Sequence, residues 1–233
     1  WGQTIVPPAI TMTLYFIIFG ELIGRRIGDM GGFSYMQYIV PGLVIMSVIT
    51  NSYGNMVSSC FGAKFGKHIE ELLISPLPNW VILAGYVTGA LTRGLMVGMV
   101  VMGVSLFFTR IEVQHPFIML SVLLLTAIVF ALAGMVNAIF AQKFDDIAII
   151  PTFVLAPLTY LGGVFYSISL LPEFWQNVSV FNPILYMVNG FRLGMLGVSD
   201  VSLGMTYGVI LVAGALLFAW CLVLLHRGTG LRS

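Results

Sequence analysis

Long apolar runs alternate with short polar segments along the whole chain. Six runs stand out, at residues 6–23, 35–61, 80–109, 117–140, 148–166 and 205–225. A helix needs about 20 apolar residues to cross about 30 Å of hydrocarbon, so each run predicts one membrane span. The second is long enough to cross tilted or to extend beyond the bilayer. A transmembrane β-barrel would instead alternate over segments of about 10 residues, which these continuous runs do not. The predicted fold is therefore all-α, a polytopic membrane protein with six transmembrane helices and both termini on one side. Residues 167–204 fit no single span. They carry Pro172 and Pro183 but also Phe174, Trp175, Phe181 and Tyr186, and Trp and Tyr favour the headgroup level. Two short helices that dip into the membrane and return satisfy both facts, as does an ordinary interfacial loop.

Composition agrees with this pattern. Only 8% of the residues are charged, from 10 Lys+Arg and 9 Asp+Glu, and 59% are hydrophobic; a soluble domain carries about 25% charge. Mean hydropathy is +1.02. The net charge of +1, with no basic run, excludes nucleic acid as a partner. Cys60 and Cys221 lie in apolar stretches, and His68, His115 and His226 fall in different loops, so neither a disulfide framework nor a metal site is expected. No catalytic constellation is present. The chain starts at Trp1, and a segment upstream of it is expected. Basic residues orient membrane proteins. Lys64, Lys67, Lys143, Arg227 and Arg232 fall on the side of the termini, against Arg25, Arg26, Arg110 and Arg192. This margin weakly favours cytoplasmic termini.

Residues 155–192 read LAPLTYLGGVFYSISLLPEFWQNVSVFNPILYMVNGFR. Leu158, Leu161, Gly162 and Val164, then Leu171-Pro172, Pro183-Ile184, Tyr186 and Arg192 resemble the signature of the ABC-2 type permeases, the membrane subunits of ATP-driven exporters. IVPPAITMTLYFIIFG, YIVPGL and RGTGLRS extend the likeness over essentially the whole chain, which is similar above all to the YadH-type inner-membrane permeases of Gram-negative bacteria. The resemblance implies that residues 1–233 form one ABC-2 transmembrane domain. It implies six spans with both termini cytoplasmic, and a re-entrant helical hairpin between helices 5 and 6. It further implies a homodimer of permeases, working in membrane lipid with two ATP-binding cassette ATPase subunits. ATP and Mg belong to those partners, and no cofactor is expected in this chain. An amphipathic helix on the inner surface would precede Trp1.

The loop after the second span reads GAKFGKHIEELLISPLPNW. Ile69, Leu72 and Leu73 recur at helical spacing, with Lys67, His68, Glu70 and Glu71 on the other side and Pro76 and Pro78 ending the helix. An amphipathic helix of this kind either lies on the membrane surface or docks into a groove on a soluble partner. The resemblance places a cytoplasmic coupling helix here, which assigns ATPase coupling to Lys67, His68, Glu70, Glu71, Leu72, Ser75 and Pro76. Gly62, Gly66 and Lys67 imitate a phosphate loop, but the spacing is one short and His68 stands where Ser or Thr belongs. The chain has no ATP site of its own.

In the second span Ser47, Asn51, Asn55 and Ser58 or Ser59 line one helix face. Such groups face a translocation path or make interhelical hydrogen bonds; Asn51 and Asn55 are the path candidates, and the serines favour the second role. Arg93 falls mid-span, where a charge costs at least about 2.5–3.5 kcal/mol. Glu21, a carbonyl or Asn137 is its expected partner, in a structural tie. Asp145 and Asp146 are placed to cap the fifth span. Gly85/Gly89, Gly94/Gly98 and Gly204/Gly208 have spacing suited to close helix packing. Pro172, Phe174, Trp175, Pro183 and Tyr186 are the expected external gate. The resemblance implies the permease subunit of an exporter that moves a lipid, amphiphilic drug or glycan across the inner membrane by alternating access. A secondary transporter is the alternative, but no span centre holds the Asp or Glu that ion coupling needs. A purely structural scaffold is the third possibility.

Overall fold

The computed structural model describes residues 2–230, apart from the side chains of Gln3, Glu21 and Arg25. Arg232, counted above for orientation, and the end of RGTGLRS lie outside the described residues, as does the side chain of Glu21. The chain folds as α1 (Gly2–Tyr15), a π-helical stretch (Phe16–Ile23), α2 (Gly24–Ile27), β1 (Asp29–Met30), β2 (Phe33–Ser34), α3 (Tyr35–Phe65) and α4 (His68–Ile74). There follow α5 (Asn79–Ser105), α6 (Pro116–Phe140), α7 (Asp146–Ile150), a π-helical turn (Pro151–Leu155) and α8 (Ala156–Leu161). After a 3-10 turn come α9 (Glu173–Val180), α10 (Pro183–Leu196) and α11 (Leu203–Arg227).

The fold is mostly helical rather than wholly so. Asp29 pairs with Ser34 and Met30 with Phe33 in a small antiparallel ribbon. Gly31 and Gly32, both at positive φ, form its turn, a conformation that glycine adopts freely. Three helices, α5, α6 and α11, are long and apolar enough to cross a membrane, and 4–20 and 146–161 are shorter apolar helices. The second predicted span is the longest helix, α3, at 31 residues. At 1.5 Å per residue it reaches about 46 Å, but its polar residues keep it out of the apolar set.

Local chemistry fixes the helix starts. Ser34 and Gln37 form a reciprocal capping box at α3, which satisfies two otherwise unpaired N–H groups. The Asn182 side chain accepts from Ile184 N–H, ahead of Pro183 at the start of α10. Ser202 caps α11.

α3 is the central helix and packs against both α5 and α6, which also touch each other. Close approach depends on glycines other than most of those singled out by spacing. Gly94 and Gly98 do pack, on Ser52 and Val48, but a Cβ at Gly85, Gly89, Gly204 or Gly208 would meet nothing within 4 Å. Gly42 lies on the Val164 backbone, Gly134 on Tyr53 and Met56, and Gly194 on Met119. The buried apolar residues form two clusters. The larger joins α1, α3, α5, α6, α10 and α11. The smaller gathers Met56, Phe61, Leu83, Met135, Ile139 and Leu225 around Ile69 of α4.

Candidate functional site

The loop after α3 forms a short helix, as its periodicity predicts. Ile69 is 0% exposed and roots α4 in the smaller cluster, while Lys67, His68, Glu71 and Pro76 are exposed. Lys67 itself precedes the helix at φ 60°, a left-handed turn that reverses the chain after α3. Ser75 Oγ donates to Leu72 C=O at 2.6 Å and closes the last turn. Ile74 is 83% exposed, so α4 presents both charge and an apolar tip.

The preceding turn is bolted to the next loop. Lys64 Nζ donates to Ile139 and Ala141 C=O, at 2.7 and 2.5 Å, and so satisfies carbonyls at the end of α6 that have no helical partner. Asp146 does not cap the helix that follows it. Its Oδ2 accepts from Gln142 and Lys143 N–H at 2.8 and 2.9 Å, and no side-chain cap is made at Asp145. Those two N–H groups hold the Asp146 carboxyl below the ordinary carboxylate range.

On α3, Ser47, Asn51 and Ser58 bond within their own helix. Ser47 Oγ donates to Leu43 C=O, Asn51 Nδ2 to Ser47 C=O and Ser58 Oγ to Asn55 C=O. None of these bonds crosses to a neighbouring helix, so the interhelical role expected of the serines is not realised at Ser47 or Ser58. Thr50, Gly54, Ser58, Ser59 and Gly62 are exposed and Asn51 and Asn55 half-buried, which leaves an open polar strip along the C-terminal half of α3. A cavity of about 340 Å³ opens beside it, with Asn55, Ser59 and Tyr86 as its polar wall.

Arg93 lacks the tie expected for it. Among the described residues no hydrogen bond reaches it, and its Nε is buried without a partner. Asn137 instead donates to Ile147 C=O at 3.2 Å.

At the opposite end, α9 is followed after Phe181 and Asn182 by α10. Phe174 and Trp175 are 69% and 45% exposed and meet edge to face, with centroids 5.3 Å apart. The structure divides the predicted gate set. Pro172 is exposed with the two aromatics, whereas Pro183 is half-buried and Tyr186 is buried, its hydroxyl donating to Val180 C=O at 2.9 Å.

The sequence counts Arg192 among the charges on the side opposite the termini. It is 1% exposed, donates to Gly163 C=O at 2.7 Å and Asn189 Oδ1 at 3.4 Å, and lies 4.0 Å over the Tyr38 ring. Asn189 Oδ1 also accepts from Asp200 N–H, and Asp200 Oδ2 from Ser167 Oγ. This network fastens the end of the fifth apolar segment to α10. Its sequence signals were the place of Arg192 in the family signature and its i+3 spacing from Asn189.

Comparison with known proteins decides the class. The family model for the ABC-2 type transporter matches residues 1–196. The chain belongs to the ABC-2 type transporter family. It is 60% identical to the inner membrane transport permease YadH of Escherichia coli strain K12, over all of this chain and 91% of that protein. Nodulation protein J of Rhizobium leguminosarum bv. viciae is 24% identical over 92% of this chain and 83% of its own length. Rhizobium meliloti nodulation protein J is likewise 24% identical, over 92% of this chain and 82% of its own. With its apolar helices, this ABC-2 chain is a multi-pass inner-membrane transport permease.

Proposed function

We propose that this permease is the membrane half of an ATP-driven exporter, acting as a homodimer with two separate ATPase subunits. Six crossings serve this reading: residues 6–23, α3, α5, α6, 148–166 and α11, with cytoplasmic termini. In it α4 is the coupling helix, and α9 and α10 form a re-entrant hairpin at the outer end. The observation that carries it is α4: a charged, exposed helix rooted by Ile69 in a buried cluster shared with α3, α5, α6 and α11. A surface-lying helix has no need of such a root, whereas a lever must transmit what it feels.

ATP binding, outside this chain, would close the ATPase pair and move the two α4 helices. The movement would reach the membrane through Ile69 and the Lys64 bolt. The polar strip of α3, with Asn51 and Asn55, would line the path. Phe174, Trp175 and Pro172 would close its outer end until the dimer rearranges. The cargo, a lipid, amphiphilic drug or glycan, would then cross by alternating access. The test is copurification. The cognate ATPase is expected to accompany the wild-type chain and to be lost when Glu70 and Glu71 are both replaced by Lys. Association that survives this double charge reversal would remove the docking assignment.

A further inference from the structure

Two observations meet on one side of the α3–α5 seam. The first is the cavity of about 340 Å³, whose apolar wall is Leu72, Leu77, Val81 and Ile82. Its floor at Gly85 and Gly89 is open, since a Cβ at either meets nothing within 4 Å. Apolar walls with few polar groups are what small-molecule sites have, and this volume is at the small end of their range.

The second is Arg93. It follows Gly89 by four residues and Tyr86 by seven, so it shares their face of α5 one to two turns further into the membrane. Arg93 is not itself a wall of the cavity, whose lining on α5 ends at Gly89; helical side chains lean back over the preceding turn, the turn that carries Gly89. Ser52 packs on Gly94 and Val48 on Gly98. That antiparallel register brings Asn51 and Asn55 to levels just either side of Arg93. Arg93 is about 21 Å into α5 at 1.5 Å per residue, and among the described residues nothing accepts its protons. Arg192 Nε is likewise buried without a partner, but its terminal nitrogens reach a carbonyl and an amide oxygen and its face a ring. Among the described residues Arg93 has none of these, and a guanidinium at this depth needs an acceptor or water.

We infer that Arg93 and this cavity form a binding site for a small amphiphilic anion, its carboxylate, sulfate or phosphate on Arg93 and its apolar body against Val81 and Ile82. The inference rests on the transport reading and names the class of cargo. A cationic amphiphile is repelled, and a neutral one leaves the guanidinium unpaired. A cavity of this size suits a single-tailed molecule rather than a whole phospholipid.

The test uses the full chain with its copurified ATPase, in phosphatidylcholine nanodiscs, and a diazirine-tagged dodecanoate as probe. Saturable labelling is expected, competed by dodecanoate and about tenfold less well by dodecylamine or dodecanol, the loss of one charge-assisted hydrogen bond. Arg93→Gln is expected to weaken labelling about tenfold and Arg93→Lys to restore most of it. Gly89→Leu fills the open floor with Arg93 intact and is expected to lose labelling too, which keeps the test decisive if Arg93→Gln fails to fold. Equal competition by dodecylamine, or undiminished labelling of Arg93→Gln or Gly89→Leu, would overturn the site. Competition by phosphatidylglycerol at low mole fraction would assign the anion to a lipid headgroup and overturn the single-tailed ligand. The same preparations separate the two claims. Labelling without ATPase keeps the site and retires the exporter reading; ATPase without labelling retires the site alone.

Discussion

Arg192 holds its charge inside the protein because its surroundings were built for it. Two oxygens and the Tyr38 ring replace water around the guanidinium, and cutting it away leaves Gly163 C=O without that donor in the core. Arg192→Met is expected to cost about 2–4 kcal/mol, read as a lower unfolding midpoint in nanodiscs; an unchanged midpoint would make the network incidental. Glycine supplies a second contrast at this scale. A Cβ on Gly134 would stand 2.7 Å from Tyr53 C=O, so Gly134→Val should push α3 from α6 and cost about 1–3 kcal/mol. Gly85→Val, in open space, should leave the midpoint where it is. A motif scan ranks these two the other way round, since Gly85 has a partner at i+4 and Gly134 has none. Spacing alone does not say which helix face is covered.

Among the elements, the joint between α3 and α6 is the most informative. Lys64, in the last turn of the helix that leads into α4, ties it to the carbonyls of Ile139 and Ala141. Removing the tie while sparing the docking surface should separate association from transmission. Lys64→Gln is therefore expected to keep the ATPase bound but to lower transport per ATP hydrolysed several-fold; full coupling would show that the force passes through Ile69 alone. The elements themselves were largely legible. Each apolar run became a helix or a chain of helical pieces, because a 3.6-residue repeat and hydrocarbon length leave little choice. The amphipathic period over 69–73 likewise placed α4. Hidden from the sequence were the π-helical stretches at Phe16–Ile23 and Pro151–Leu155, the ribbon at Asp29–Ser34 and the division of the gate residues. The site was half-legible for the same reason. Exposed Glu71 and Phe174 follow from helix faces, but the roles of Lys64, Arg192 and Tyr186 depend on which carbonyl comes near in space.

For the whole molecule, the residues offered for docking and those offered for closure sit at opposite ends. Lys67, Glu71 and Lys143 are exposed at one end, and Phe174 and Trp175 at the other. If the hairpin closes the outer end, Phe174→Ala with Trp175→Ala should raise passive leakage or basal ATP hydrolysis; normal tightness with normal transport would remove the gate. The central claim is that one end grips a motor while the other meets a second permease. A photoreactive amino acid placed at Glu71 in one preparation and at Phe174 in another tests it in cells that carry the cognate ATPase. The account predicts an ATPase adduct from position 71 and a permease dimer from position 174. An ATPase adduct from 174, or none from 71, would contradict it.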